Sequence, residues 1–341
     1  LDYWEQSYGS LFGVWLCILA LLYRRIVPNS QDSPLPSFPL PSLSILIPLY
    51  NDEQYVLDCL ESILQQSFTN FEIIIVDDGS TDSSGRLADW YSYQDERVHS
   101  YHHLSNQGSL IARKTAVQYA TKDYCIFVDA DDYLPTPTTL ENLMRLTITN
   151  EDIIQFSIMS IGNATKQERR NMLKWFKPFR RKLYGAPSIL NHCFSKSHYC
   201  WNLCGKLFRT KVCKMGFSHV KEVYSVMAED AYAFFLIAFH ANSYRGITTH
   251  PFYAYRYGTG ISNGNEMDLG RYSLHTTGEC MMVRMIEEFL RDNDSQDIYF
   301  LTLQTLKRRV IDGAKNRRKQ LKKADQEEDL KIFRQCLSDL E

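Results

Sequence analysis

LSILIPLYNDEQYVLDCLESILQQSFTNFEIIIVDDGS, residues 43–80, carries the reading of the fold. Two runs of strand-forming apolar residues, LSILIPLY (43–50) and FEIIIVDDGS (71–80), bracket a stretch of helical periodicity, 51–66. The runs are apolar at consecutive positions rather than alternate ones, so both faces of each strand are buried. The pattern continues downstream: a capped helix over 81–94, a short strand VHSYHHL, a helix over 108–120, and the strand YCIFVDADD. Strands alternating with helices predict an α/β fold, a mostly parallel sheet flanked by helices.

In such sheets ligands bind beyond the carboxyl ends of the strands. Polar residues fall there each time: Asn51 and Glu53, then Asp77 and Asp78, then Asp129, Asp131 and Asp132. One acid per strand end is explained by helix capping or turn closure. Five across two strand ends are not, because buried carboxylates need a partner. Hard oxygen ligands in this number fit a divalent cation, Mn2+ or Mg2+, bridging a diphosphate.

Outward from this block the chain is that of a globular protein, 44% hydrophobic and 23% charged, which excludes a disordered chain. A net charge of −2 argues against a nucleic-acid partner. Nine scattered cysteines, odd in number, read as free thiols in a reducing compartment, hence a cytoplasmic location. The group Cys193, Cys200, Cys204 and Cys213 lacks the C-x2-C spacing of structural zinc. Residues 1–27 contain LFGVWLCILALLY (11–23), read as a packed or interfacial helix or a short anchor at the cytoplasmic face of a membrane. Residues 28–42 hold five prolines and form an extended linker.

Residues 43–84 resemble the amino-terminal signature of family 2 glycosyltransferases of the GT-A fold. NQGSLIARKTAVQYATKDYCIFVDADDYL (106–134) resembles its continuation, ending in the DxD motif. The resemblance implies a nucleotide-sugar half over 43–134 and an acceptor half over 135–262, followed by a charged helical region, 263–341. Pro48, Tyr50 and Asn51 would shape the base pocket, with Glu53 nearby, and Asp77 or Asp78 would meet uracil or ribose. Gly108 and Arg113 would lie beside ribose or phosphates. Asp129 and Asp131 would occupy the DxD positions, with Asp131 or Asp132 on the metal. WNLCGKLFRT (201–210) resembles the family's Trp-x-Lys-Leu-Tyr-Arg segment, and VMAEDAYAFF (226–235) its Glu-Asp motif. Asp230 would be the catalytic base, assisted by Glu229. YAYRYGTGIS (253–262) resembles a Tyr-x-Tyr-Arg segment whose Arg256 would neutralise the departing diphosphate.

The expected activity is metal-dependent inverting transfer from a nucleotide sugar, a UDP-sugar, to a glycan or lipid-linked glycan. The rival readings are a non-catalytic nucleotide-sugar-binding module and a nucleotidyltransferase on a related sheet. The second would carry a glycine-rich phosphate loop, and PLYNDEQ has none. MLKWFKPFRRKLYG (172–185) interleaves cations with aromatics and suggests peripheral membrane contact. The basic-to-acidic run 306–333 reads as a solvated helix.

Overall fold

The computed structural model describes residues 39–225, 227–248, 250–259, 267–321 and 326–340. The expected helix at 11–23, most of the linker and the end of YAYRYGTGIS lie outside the described residues.

The strands are β1 (Leu43–Leu49), β2 (Phe71–Asp77), β3 (Val98–His102), β4 (Tyr124–Phe127), β5 (Ile153–Phe156), β6 (Met159–Gly162), β7 (Lys182–Tyr184), β8 (Lys206–Arg209), β9 (Ser243–Ile247) and β10 (Ala254–Tyr257). The helices of the first half are α1 (Val56–Leu64), α2 (Ser84–Gln94), α3 (Ser109–Tyr119) and α4 (Thr139–Arg145). Those of the second half are α5 (Lys166–Trp175), α6 (Ala186–Leu190), α7 (Thr210–Phe217) and α8 (Glu229–Phe239). A helical C-terminal region follows, α9 (Leu269–Asp292), α10 (Gln296–Arg318) and α11 (Gln326–Leu340).

Eight strands form one sheet in the order β3-β2-β1-β4-β8-β5-β9-β7, and β6 pairs with β10 beside it. β1 pairs in parallel with β2 on one side and β4 on the other. The antiparallel strand β8 joins β4 to β5. The strand order therefore reverses between β1 and β4, where open α/β sheets form their crevice.

Burial on both faces follows the strand period of two. Leu46, Ile74 and Val76 join one core with α3, α7, α8 and α9, while Ile45, Ile47, Ile73 and Ile75 join the other with α1. At the far end of β1, buried Ser44 donates to Glu72 at 2.7 Å, which also accepts the Thr121 N–H at 2.6 Å. No buried polar group there is left without a partner.

Two expectations are corrected. The helix expected from residue 51 begins at Val56, because Asn51 takes a positive φ of 54° and starts a loop. The cysteines are not all free: Cys280 of α9 and Cys336 of α11 are joined in a disulfide, while Cys59, Cys125, Cys193, Cys200, Cys204 and Cys213 are free and buried. Among the described residues no helix is long and apolar enough to cross a membrane. In the 172–185 patch Phe176 is buried, so part of its aromatic content is core.

Candidate active site

The DADD turn leaves β4 and is braced by β10. The Tyr253 hydroxyl accepts the Asp129 N–H at 3.1 Å and donates to Asp132 Oδ2 at 2.6 Å. The Arg256 N–H donates to Asp132 Oδ1 at 2.6 Å, and Arg256 Nε to the Asp131 carbonyl at 2.7 Å. Both Asp132 oxygens are thus taken, and the side chain is sealed at 1% exposure. Burial, then Asp131 and Asp129, hold its carboxyl well above the usual range. Asp132 therefore braces the turn and does not present a free ligand. Asp129 and Asp131 line the cavity instead, and the Thr259 hydroxyl donates to Asp131.

A third carboxylate on this wall, Asp52, escaped the sequence reading, which singled out its neighbours. Its backbone N–H donates to Ser84 Oγ at 2.8 Å, turning the residue into the cavity. Burial, then Asp131 and Asp129, push its pKa up to about 7. Asp131 is raised by burial and by Asp129.

Arg113, on α3, is 7% exposed and ties three acids together. Its guanidinium lies 3.0 Å from Asp129, 3.0 Å from Asp230 and 3.3 Å from Glu229. Burial opposes its charge, but Asp230, Asp129 and Glu229 outweigh that and hold it above its ordinary range. Arg113, expected beside ribose or phosphates, lines the cavity with its terminal nitrogens on these carboxylates, while its buried Nε has no hydrogen bond. Glu229 also accepts from Ser109 Oγ at 3.0 Å.

Glu229 and Asp230 open α8 just after Ala228, whose φ is 62°. The Leu203 N–H reaches Asp230 Oδ2 at 3.5 Å, while buried Oδ1 has no hydrogen bond despite the nearby Arg113. Burial raises Asp230 to about 6, Arg113 pulling down against Glu229 and Asp129. It is a desolvated carboxylate whose Oδ1 is ion-paired with Arg113 and whose Oδ2 takes only a long N–H contact.

These groups face a cavity of about 870 Å3. Pro48, Tyr50, Asp78 and Gly108 line it as well. Asp78 accepts the Gly108 N–H at 2.7 Å and His103 Nδ1 at 2.6 Å. Gly108 has φ 91°, and a Cβ there would sit 3.0 Å from the Ser225 carbonyl, so only glycine fits without strain. Asn51, Glu53 and Asp77 are braces and do not line the cavity. Asn51 Oδ1 accepts the Thr81 N–H at 2.8 Å, Glu53 the Ser83 N–H at 2.9 Å, and Asp77 the Ser80 N–H at 3.0 Å. Arg256 is a brace as well, its guanidinium stacked 4.8 Å from the Tyr55 ring.

Among the described residues no three His, Cys, Asp or Glu side chains form a complete metal cage. A magnesium-type ion is commonly held by one or two carboxylates plus substrate phosphates, which Asp129 and Asp131 fit. The crowding of Asp52, Asp129 and Asp131, which lifts the pKa of Asp52 and of Asp131, is what a hard cation would relieve. The opposite wall was missed by sequence reading: Trp175, Trp201 and Asn202, with Glu279, Arg309 and Arg317 from the C-terminal helices. Arg309 and Arg317 stand eight residues apart with Leu306 and Val310 between or beside them, a helical-face signal hidden by the surrounding charge run.

A sheet with its crevice at the β1/β4 reversal, an acidic turn after β4 and a Glu-Asp helix start define a GT-A-type glycosyltransferase fold. The comparisons agree. Residues 44–209, just under half of the chain, match the family model described as Glycosyl transferase family 2. Glycosyltransferase GlyG of Streptococcus pneumoniae is 41% identical over 90 residues, 26% of this chain and 30% of that protein. Glycosyltransferase GlyA of the same organism is 27% identical over 198 residues, 56% of this chain and 27% of that protein. The chain thus spans less than a third of the length of these curated relatives. Staphylococcus aureus TarS, solved in complex with UDP, superposes with a TM-score of 0.60 at 19% identity, over 87% of this chain and 81% of that one. The mannosyltransferase PcManGT from Pyrobaculum calidifontis, solved with GDP-Man and Mn2+, gives 0.52 at 16% identity, over 97% and 84%.

Proposed function

We propose that this protein transfers a sugar from a nucleoside diphosphate sugar, a UDP-sugar, to a hydroxyl of a glycan or lipid-linked glycan, with inversion at the anomeric carbon. The observation that carries the reading is Asp230: a buried carboxylate, ion-paired with Arg113 and raised to about 6, in the same cavity as Asp129 and Asp131. At neutral pH it is mostly ionised yet basic enough to accept a proton.

Pro48 and Tyr50 hold the base end of the donor, and Asp78 with the Gly108 backbone borders the ribose end. Asp129 and Asp131 would hold Mn2+ or Mg2+, which would supply positive charge for the departing diphosphate. The acceptor hydroxyl attacks the anomeric carbon as the bond to the diphosphate oxygen breaks, and the leaving oxygen takes that electron pair. Asp230 receives the hydroxyl proton. Arg113 keeps Asp230 and Glu229 in place, and Glu229 fixes the start of α8 through Ser109.

The test is release of free UDP from a panel of UDP-sugars, with and without Mn2+, by the wild-type chain and Asp131→Asn, followed by anomer assignment of the product by NMR. Metal-dependent release of one sugar that is lost in Asp131→Asn supports the reading. Release of pyrophosphate instead would identify a nucleotidyltransferase. Donor binding without any turnover, in the presence of acceptors, would identify a binding module.

A further inference from the structure

The cavity runs past Asp230 to a wall whose chemistry the donor does not use. Trp201 stacks on Phe194 with centroids 5.7 Å apart and meets Trp175 edge-on at 5.2 Å. Trp175 Nε1 donates to Asn202 Oδ1 at 2.8 Å, so this indole is held in one orientation at the cavity. The pair offers apolar faces of the kind that receive sugar or polyol C–H groups.

Over Trp201, at 5.1 Å, sits the guanidinium of Arg309. Its Nη1 donates to the Phe194 carbonyl at 2.8 Å. Two other cations of α10 are neutralised: Lys307 pairs with Glu287 at 3.0 Å and Arg317 with Glu279 at 2.6 Å. Arg309 is partly buried and lines the cavity, and among the described residues the carboxylate near enough to favour its charge is Glu279, which is itself paired with Arg317. A guanidinium carries five N–H donors in a fork that matches phosphate or carboxylate oxygens. Holding it half-desolvated without an ion pair is unfavourable, and farther along the same helix the buried Arg317 Nε also lacks a hydrogen-bond partner. Eight residues separate the two arginines, roughly 12 Å along the helix axis and close to one face.

We infer that this wall is an acceptor subsite for an anionic group, a phosphate or carboxylate on the acceptor, seated on Arg309 with the adjoining sugar or polyol against Trp201 and Trp175. The inference rests on the reading of the cavity as a glycosyl-transfer site. The acid-rich donor end and the cationic far end then orient the acceptor, its charged part away from Asp129 and Asp131 and its hydroxyl toward Asp230.

The experiment compares three methyl glycosides that differ only in carrying a hydroxyl, a phosphate or a carboxylate at the sixth carbon. The full chain is used, with the donor identified by UDP release. The expected result is a KM at least about tenfold lower for a charged member than for the neutral one. Arg309→Gln collapses that ratio, and Arg309→Lys, which keeps the charge, preserves most of it. The ratio is internal to each variant, so a general loss of folding does not imitate it. Equal KM values for neutral and charged members in the wild type, or a ratio unchanged in Arg309→Gln, overturns the inference while leaving glycosyl transfer standing. If no member is glycosylated, calorimetric titration of the same three compounds decides by the same ratio in Kd, and donor hydrolysis separately decides the transfer reading. Whether the phosphate or the carboxylate member gives the lower constant identifies the group.

Discussion

Asp230→Asn should abolish transfer and at the same time stabilise the fold. The folded-state pKa of Asp230 is about 6 against an ordinary 3.8, so folding favours its protonated form. A group raised in this way favours the folded state fully below the unfolded value and loses that contribution as pH climbs through the folded one. At ~1.4 kcal/mol per pKa step, the gap sets a ceiling of about 3 kcal/mol of destabilisation at neutral pH. One-fifth of the side chain reaches the cavity, and the variant forfeits the contact with Arg113 at 3.0 Å, so the net gain is about 1–3 kcal/mol. Arg113 is not orphaned by the change, because Asp129 and Glu229 remain beside it. For a chain of this size that is a rise in Tm of about 2–6 °C. Thermal melts of both proteins from about pH 4 to about pH 8 read it directly: the curves should converge near the acid end and separate through pH 6. A variant less stable than wild type at neutral pH, or a Tm difference flat across the range, refutes the placement of a strained charge at this position. Loss of the base itself should slow transfer by ~10²–10⁴.

Arg113→Gln removes the shared partner of Asp129, Glu229 and Asp230 and should cost about 3–5 kcal/mol, read as a lower Tm. The same change raises the pKa of Asp230 further, so the acid limb of the rate profile, expected near pH 6 in the wild type, should move to higher pH. Tyr253→Phe leaves a buried Asp132 oxygen and the Asp129 N–H unpaired and should cost about 1–3 kcal/mol in urea melts. It should also weaken Mn2+-dependent donor binding by calorimetry, since the turn carrying Asp131 loses its brace; unchanged donor affinity would separate the brace from the site.

Much of the first half is legible because each signal is local. Ile73 to Val76 are apolar at successive positions, and that alone demands cover on both faces. The Asp-Asp-Gly-Ser turn follows from the same logic, since Gly79 adopts a φ of 72°. The roles inside the acidic cluster were not legible. Asp131 and Asp132 are adjacent and chemically identical, and what separates them is Tyr253 and Arg256, which arrive from more than a hundred residues away. Asp52 fell inside the stretch read as helical, 51–66, and its raised pKa arises from burial and from Asp131 and Asp129 on a different strand end. Arg309 was averaged into a charge run, and only the packing of α10 against Phe194 and Trp201 turns it inward.

The balance of charge in the cavity constrains how the donor enters. Of the acids Asp52, Asp129, Asp131, Glu229 and Asp230 that line the cavity, three already share Arg113, while Arg309 and Arg317 belong to the C-terminal helices. A bare diphosphate approaching Asp129 and Asp131 would meet like charge in a partly dehydrated site, where repulsion is only weakly screened. A diphosphate that carries a divalent cation is close to neutral and brings a partner for the two carboxylates. UDP should therefore bind only as its Mn2+ or Mg2+ complex, and the proton count on binding should reveal why: Asp52, at about 7 before binding, gives up a proton as the cation arrives. Calorimetric titration of UDP in two buffers of different ionisation enthalpy, with Mn2+ and with EDTA, measures both quantities. Binding of equal strength in EDTA would mean that the acids are not arranged for a metal, and the crowding of Asp52 and Asp131 would then need another cation to explain it.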